Sequence, residues 1–150
     1  MKQNTKIFGK VVLVILAVIA IAIGGLYCYL TYLDRSKQPT QLSNKNETIE
    51  VMYINWACDC ADFIDTSLLV EGYEISANDC LFIEPVSKEI AINEDSLYKK
   101  QFEYFIKLKG LYYIDEGVPD SYERKVSEPM AAPNKAKVFR YSSYEYVKKK

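Results

Sequence analysis

The longest apolar run covers Val11–Leu33, 23 positions without a single charged residue. As an α-helix it would extend roughly 35 Å, enough to cross a hydrocarbon core of about 30 Å. Lys2, Lys6 and Lys10 precede it with no acid among the first ten residues, and Asp34, Arg35 and Lys37 follow it. Cations gathered on the short N-terminal flank orient such a helix with its N-terminus inside. Tyr27, Tyr29 and Tyr32 sit together at the far end, the level at which aromatic rings anchor a span among headgroups. A cleaved signal peptide is the first rival, with Ala20, Ala22 and Gly24 as small residues before a cut. A lipoprotein acylated at Cys28 is the second. The run continues through Gly25–Leu33 as an anchor does, and Gly25-Leu26-Tyr27 lacks the small residues that usually precede an acylated cysteine. The expected organisation is therefore a cytoplasmic N-terminus over 1–10, a transmembrane anchor over 11–33, a polar tether over 34–46 and an extracytoplasmic domain over 47–150.

The tether reading rests on Arg35–Asn46, which is polar, holds Pro39 and shows no apolar periodicity. Beyond it the pattern is that of strands. In Thr48–Trp56, Ile49, Val51 and Tyr53 share one parity while Met52, Ile54 and Trp56 share the other, so both faces are apolar, as in a central strand. A loop or short helical turn is expected over Ala57–Thr66, then a weaker strand over Ser67–Tyr73. Asp79–Pro85 predicts a strand closed by its proline. Glu89–Asn93 predicts a short strand, and Glu94–Tyr98 a turn or single helical turn. The clearest alternation lies in Gln101–Ile114: Phe102, Tyr104, Ile106, Leu108, Tyr112 and Ile114 point one way, Glu103, Lys107 and Lys109 the other. Gly110 keeps the core parity without a side chain, which marks a bulge or bend. Asp115–Ser121 is a turn cluster, Glu128–Asn134 a loop with two prolines, and Lys135–Val147 a last strand broken near Ser142-Ser143. About five strands after one membrane helix predict a small mainly-β domain: a five-stranded antiparallel barrel of OB-like kind, or a sandwich.

Composition changes this picture in one respect. Thirteen Tyr stand against six Phe and one Trp, a bias suited to half-buried strand positions where the ring packs and the hydroxyl stays wet. Tyr141, Tyr144 and Tyr146, with Tyr112 and Tyr113, form a candidate contact surface; sheet packing accounts for them equally well.

Histidine is absent. Ser-His-Asp and Cys-His nucleophiles, a histidine base and histidine metal ligands are all excluded. The thiols remain. Outside the cytoplasm Cys58, Cys60 and Cys80 are disulfide candidates, with the expected bridge joining Cys80 to Cys58 or Cys60. The alternative is redox exchange or a Cu(I) clamp built from Cys58-Asp59-Cys60 with Cys80, since all-sulfur ligation needs no imidazole. Asp59, Asp62 and Asp65 argue against a reactive thiolate there, because nearby negative charge raises thiol pKa values.

Charge is unevenly spread. Asn46–Ser87 holds nine acids and no Lys or Arg, while the tail from Met130 carries six cations against Glu145. An acidic solvated face opposite a basic tail strand explains this better than a calcium site, since no Asp-X-Asp-X-Asp-Gly spacing is present. Residues 34–150 carry 16 basic and 20 acidic groups, which speaks against nucleic acid. Lys148–Lys150 reads as a frayed, solvated tail. The functional expectation is a non-catalytic binding or structural module in a bacterial envelope, held in the lipid bilayer by residues 11–33, without cofactor and with an envelope protein as possible partner. A hydrolase built on Asp62 and Asp65 is the remotest alternative.

Overall fold

The computed structural model describes residues 2–35, 37–56, 58–123, 125 and 133–149. It divides into two compact units, Met1–Lys37 and Gln38–Lys150. The first is a single helix, α1 (Lys2–Arg35). Its stretch Ile15–Tyr32 is, among the described residues, the one helical segment long and apolar enough to cross a membrane, and by length and composition it suits an anchor and a leader sequence alike. Tyr27, Tyr29 and Tyr32 lie exposed on it, as does Cys28.

Among the described residues the second unit holds one sheet of five strands: β1 (Leu42–Tyr53), β2 (Phe63–Asp65), β3 (Phe82–Pro85), β4 (Tyr104–Tyr113) and β5 (Val138–Lys148), in the order β2-β1-β4-β5-β3. A helix, α2 (Glu94–Lys100), precedes β4; Asn93 caps it by accepting from the Ser96 N–H. Three of the strand contacts are antiparallel and one, β3 with β5, is parallel. The sheet is therefore mixed, which corrects the purely antiparallel expectation. Strand direction is decided by how connections route the chain, and α2 with β4 intervenes between the two parallel partners.

The sheet curls into a half-barrel. Phe63 of β2 and Leu81, just before β3, form an isolated bridge in which Leu81 N–H donates to the Phe63 carbonyl at 2.7 Å and Phe63 N–H returns to the Leu81 carbonyl at 3.3 Å. Apolar residues pack on both faces, as the two-parity pattern in β1 requires. One cluster holds Ile49, Val51, Ile106, Leu108, Phe139 and Tyr141 with Leu97 of α2. The other holds Ala61, Ile64, Cys80, Phe82 and Val138, with Met52, Ile54 and Trp56 against it.

Gly110 sits at a register shift. Lys109 pairs with Ser143 but Gly110 with Tyr141, so Ser142 is the extra residue, and its hydroxyl donates to the Lys109 carbonyl at 3.1 Å. A Cβ at Gly110 would fall 2.8 Å from the Tyr141 Cα and 2.9 Å from the Arg140 carbonyl carbon. The bulge needs glycine for close backbone approach. The break expected near Ser142-Ser143 is this bulge within a continuous strand.

Other expectations are corrected. β1 begins at Leu42, inside the segment read as tether, because Asp115 pulls the chain in: its carboxylate accepts from Thr40 N–H at 2.9 Å and Gln41 N–H at 3.0 Å. Ala57–Thr66 holds β2, and Ser67–Tyr73 holds no strand. Asp65 caps a 3₁₀ turn over Thr66–Leu68, and Tyr73 N–H donates to the Val70 carbonyl around Gly72 at φ 84°, the positive value that a type II turn places at its third residue. Lys88–Ile90 is a 3₁₀ turn where a short strand was expected. Phe102 and Ile114 keep the parity of the core yet lie beyond the ends of β4, at 82% and 64% exposure. The tail is not frayed at Lys149, whose Nζ donates to the Gln101 carbonyl at 2.8 Å. Most of the expected Glu128–Asn134 loop lies outside the described residues.

Candidate functional site

Where β1 ends, the chain leaves the sheet and returns to it through β2, and this excursion carries the paired cysteines. Cys58 and Cys60 are joined as a disulfide with their Cα atoms 5.4 Å apart. The expected bridge to Cys80 is not formed. Cys80 is buried in the second apolar cluster, where its Sγ accepts from the Trp56 indole N–H at 3.3 Å and its S–H faces the Ser76 carbonyl at 3.7 Å. Burial pushes its thiol pKa up, against the smaller opposite effect of the indole bond, so Cys80 is an inert thiol and not a nucleophile. Aspartates rather than sulfur complete the surroundings. Asp79 accepts from Ser76 N–H, Ser76 Oγ and the Tyr73 hydroxyl, and the Ser76 bonds hold its carboxyl below the usual range.

These residues wall a cavity of about 1010 Å³. Cys58, Cys60 and Cys80 all line it, together with the charged Asp65, Asp79, Glu116 and Lys137. All three cysteines singled out from the sequence thus reach one cavity. Among the described residues, no three metal-ligating side chains converge, and two of the three sulfurs are bonded to each other. The copper clamp has no geometric support.

A second cavity, of about 680 Å³, is lined by Asp62, Tyr122, Lys125, Tyr53, Tyr98 and Tyr141 among others. Its polar centre is an ion pair between Lys125 Nζ and the Asp62 carboxylate. Asp62 is buried, and desolvation raises its pKa although Lys125 opposes the shift. Asp59, between the bonded cysteines, accepts from the Lys125 backbone N–H at 2.9 Å and the Tyr122 hydroxyl at 3.3 Å. The acidic stretch therefore contains built ion-pair and capping positions as well as solvated ones. Sequence reasoning missed Lys125, which lies 63 residues from Asp62 in a segment without periodicity.

Burial removes most of the candidate tyrosine surface. Tyr141 is 1% exposed and belongs to the core, where its hydroxyl accepts from Ile92 N–H at 3.1 Å. Tyr112 and Tyr113 are half-buried, and Tyr113 donates to Glu84 at 2.6 Å beside Arg140. Burial first of all pushes the Tyr53, Tyr112, Tyr113 and Tyr141 hydroxyls up to about 12, so all four are neutral at physiological pH. Of the proposed surface, Tyr144 alone is exposed.

No protein-family model matches the chain, and neither a curated protein nor a solved structure is significantly similar to it.

Proposed function

We propose that the chain is a membrane-anchored envelope protein, N-terminus in and C-terminal domain out, whose β domain binds a protein or other surface component in the cysteine-lined cavity. One observation carries the reading: an open cavity of about 1010 Å³, at the upper end of the range for ligand pockets, walled by mixed polar and apolar groups. The absence of histidine and the raised thiol pKa of Cys80 leave no imidazole base and no activated thiol there. The Lys-rich N-terminal flank supports the orientation. A photo-crosslinking residue at the exposed cavity rim position Ser67, in the full chain in its native membrane, should give a discrete adduct. That adduct should disappear when Ala77, which lines the cavity, becomes tryptophan. Crosslinks from Ser67 that match those from Lys107, or that survive A77W in a folded protein, would sink the proposal.

A second reading is thiol-based, and the Cys58–Cys60 bond favours it. Both cysteines are partly accessible, so a thiolate from an external dithiol reaches the disulfide while Cys80 stays buried. Thiol titration of the denatured full chain should find two reactive thiols before reduction and four after. Four before reduction, in protein prepared without reductant, would end this reading.

A further inference from the structure

We infer that the Cys58–Cys60 disulfide is a reversible clasp whose redox state sets the positions of Tyr122 and Lys125, two residues in the wall of the second cavity, through Asp59. The inference rests on the thiol reading and adds to it a structural output. Asp59 is the one residue enclosed by the disulfide ring, and its carboxylate accepts from the Tyr122 hydroxyl and the Lys125 N–H. The ring keeps the flanking Cα atoms 5.4 Å apart, whereas two residues of extended chain reach about 7 Å. Opening the ring frees the backbone of Asp59 to extend. A displacement of well under 1 Å is enough to part a carboxylate from a donor at 2.9 Å. Tyr122 retains its edge-to-face contact with Phe82, at 5.0 Å between ring centres, and Lys125 retains Asp62 through its Nζ. The backbone at Lys125 is therefore the part released. Asp62, Tyr122 and Lys125 all line the second cavity, so its mouth changes with the state of the thiols.

The chemistry balances with an external dithiol. One thiolate of the dithiol attacks Cys58 or Cys60, forming a mixed disulfide and expelling the other cysteine as thiolate. The second thiol of the dithiol then resolves the mixed disulfide. Two electrons and two protons end on Cys58 and Cys60, and the dithiol leaves oxidised.

Trypsin reads the clasp directly, because Lys125 is a cleavage site whose backbone and side chain are both held. The full chain in detergent is compared oxidised and after dithiothreitol, with cleavage after Lys125 followed by mass spectrometry. Loss of one charge-assisted hydrogen bond should speed that cut about tenfold on reduction. C58S/C60S should be cut at the fast rate in either condition, and so should Asp59→Ala with its disulfide intact. Circular dichroism of each variant establishes that it is folded. Failure of dithiothreitol to expose Cys58 and Cys60 to alkylation would overturn the thiol reading and the clasp together. Complete reduction with an unchanged rate after Lys125 would overturn the clasp alone, as would a redox-dependent rate that persists in Asp59→Ala.

Discussion

The two halves of the β domain are held together by different forces. Around β4 and β5, long antiparallel pairing and buried Ile106, Leu108, Phe139 and Tyr141 do the work, and the ladder tolerates a bulge at Ser142. Among the described residues of Trp56–Asp79 and Pro119–Lys125 there is little regular structure, and carboxylates act as the fasteners: Asp59 and Asp62 accept from Lys125, while Asp65 and Asp79 accept within their own turns. Apolar area is non-directional and indifferent to pH, whereas a carboxylate fastener is local, geometric and titratable. The first half should behave as one cooperative unit. The second should open in pieces. Both cavities lie against the second half, which is where low local stability serves binding.

The sharpest way to break this contrast is Gly110→Ala. Its Cβ meets backbone rather than a flexible side chain, so the β4–β5 ladder must shift. A loss of about 3 kcal/mol or more in denaturant unfolding is expected. A loss under about 1 kcal/mol would show the ladder to be more pliant than its packing implies.

Lys125→Met comes next, at about 2 kcal/mol near neutral pH, because it leaves the Asp62 charge buried without a partner. The sign of its pH dependence follows from burial. Asp62 already has a raised pKa in the fold, so its charged form is penalised above that pKa and the penalty vanishes below the unfolded value. Stability curves of the variant and the parent should converge as the pH falls through the carboxylate range. Parallel curves would contradict the assignment.

C58S/C60S should cost less still in global unfolding. A three-residue loop contributes about 1.6 kcal/mol by chain entropy, against roughly 3.4 kcal/mol for the 23-residue loop that a Cys58–Cys80 bridge would have closed. A loss above the larger figure would point to a different connectivity. Asp115→Asn should have the smallest effect at neutral pH. The Gln41 and Thr40 N–H groups lower the Asp115 pKa, so its contribution is complete above the unfolded carboxylate pKa and disappears as the pH falls through the lower folded value. The variant should therefore show a shallower acid limb than the parent when unfolding is followed against pH.

How far the sequence foretold this architecture varies with the kind of force. Alternation in Thr48–Trp56 carries both faces of β1 and the residues just past it, since Ile49 and Val51 enter one cluster while Met52, with Ile54 and Trp56 beyond the strand end, packs against the other. Gly110 was legible as a bulge because a missing side chain at core parity has few other uses. The three residues of β2 were not legible: with Asp59 and Asp62 before them and Asp65 among them they look like loop, and only pairing with Val51–Tyr53 makes them a strand. The parallel β3–β5 contact leaves no periodic trace. Cysteine spacing counts thiols without measuring distances, which is why all three sulfurs were singled out but not their connectivity. Phe102 shows the limit of parity, for the chain turns over Gln101–Glu103 just before β4 takes up the register.

The position of β5 in the sheet has a temporal consequence. It is the last strand along the chain, yet it lies between β4 and β3, so neither neighbour is complete until it arrives. β1 and β4 can zip together early, while β3 must wait with one flank open for a segment more than fifty residues downstream. Closing so long a loop before any reward is slow. A chain emerging gradually from a ribosome or a translocation pore would hold Phe82 and Ile83 unpaired for much of that time, and the final insertion of Val138–Lys148 is the step that locks the assembly.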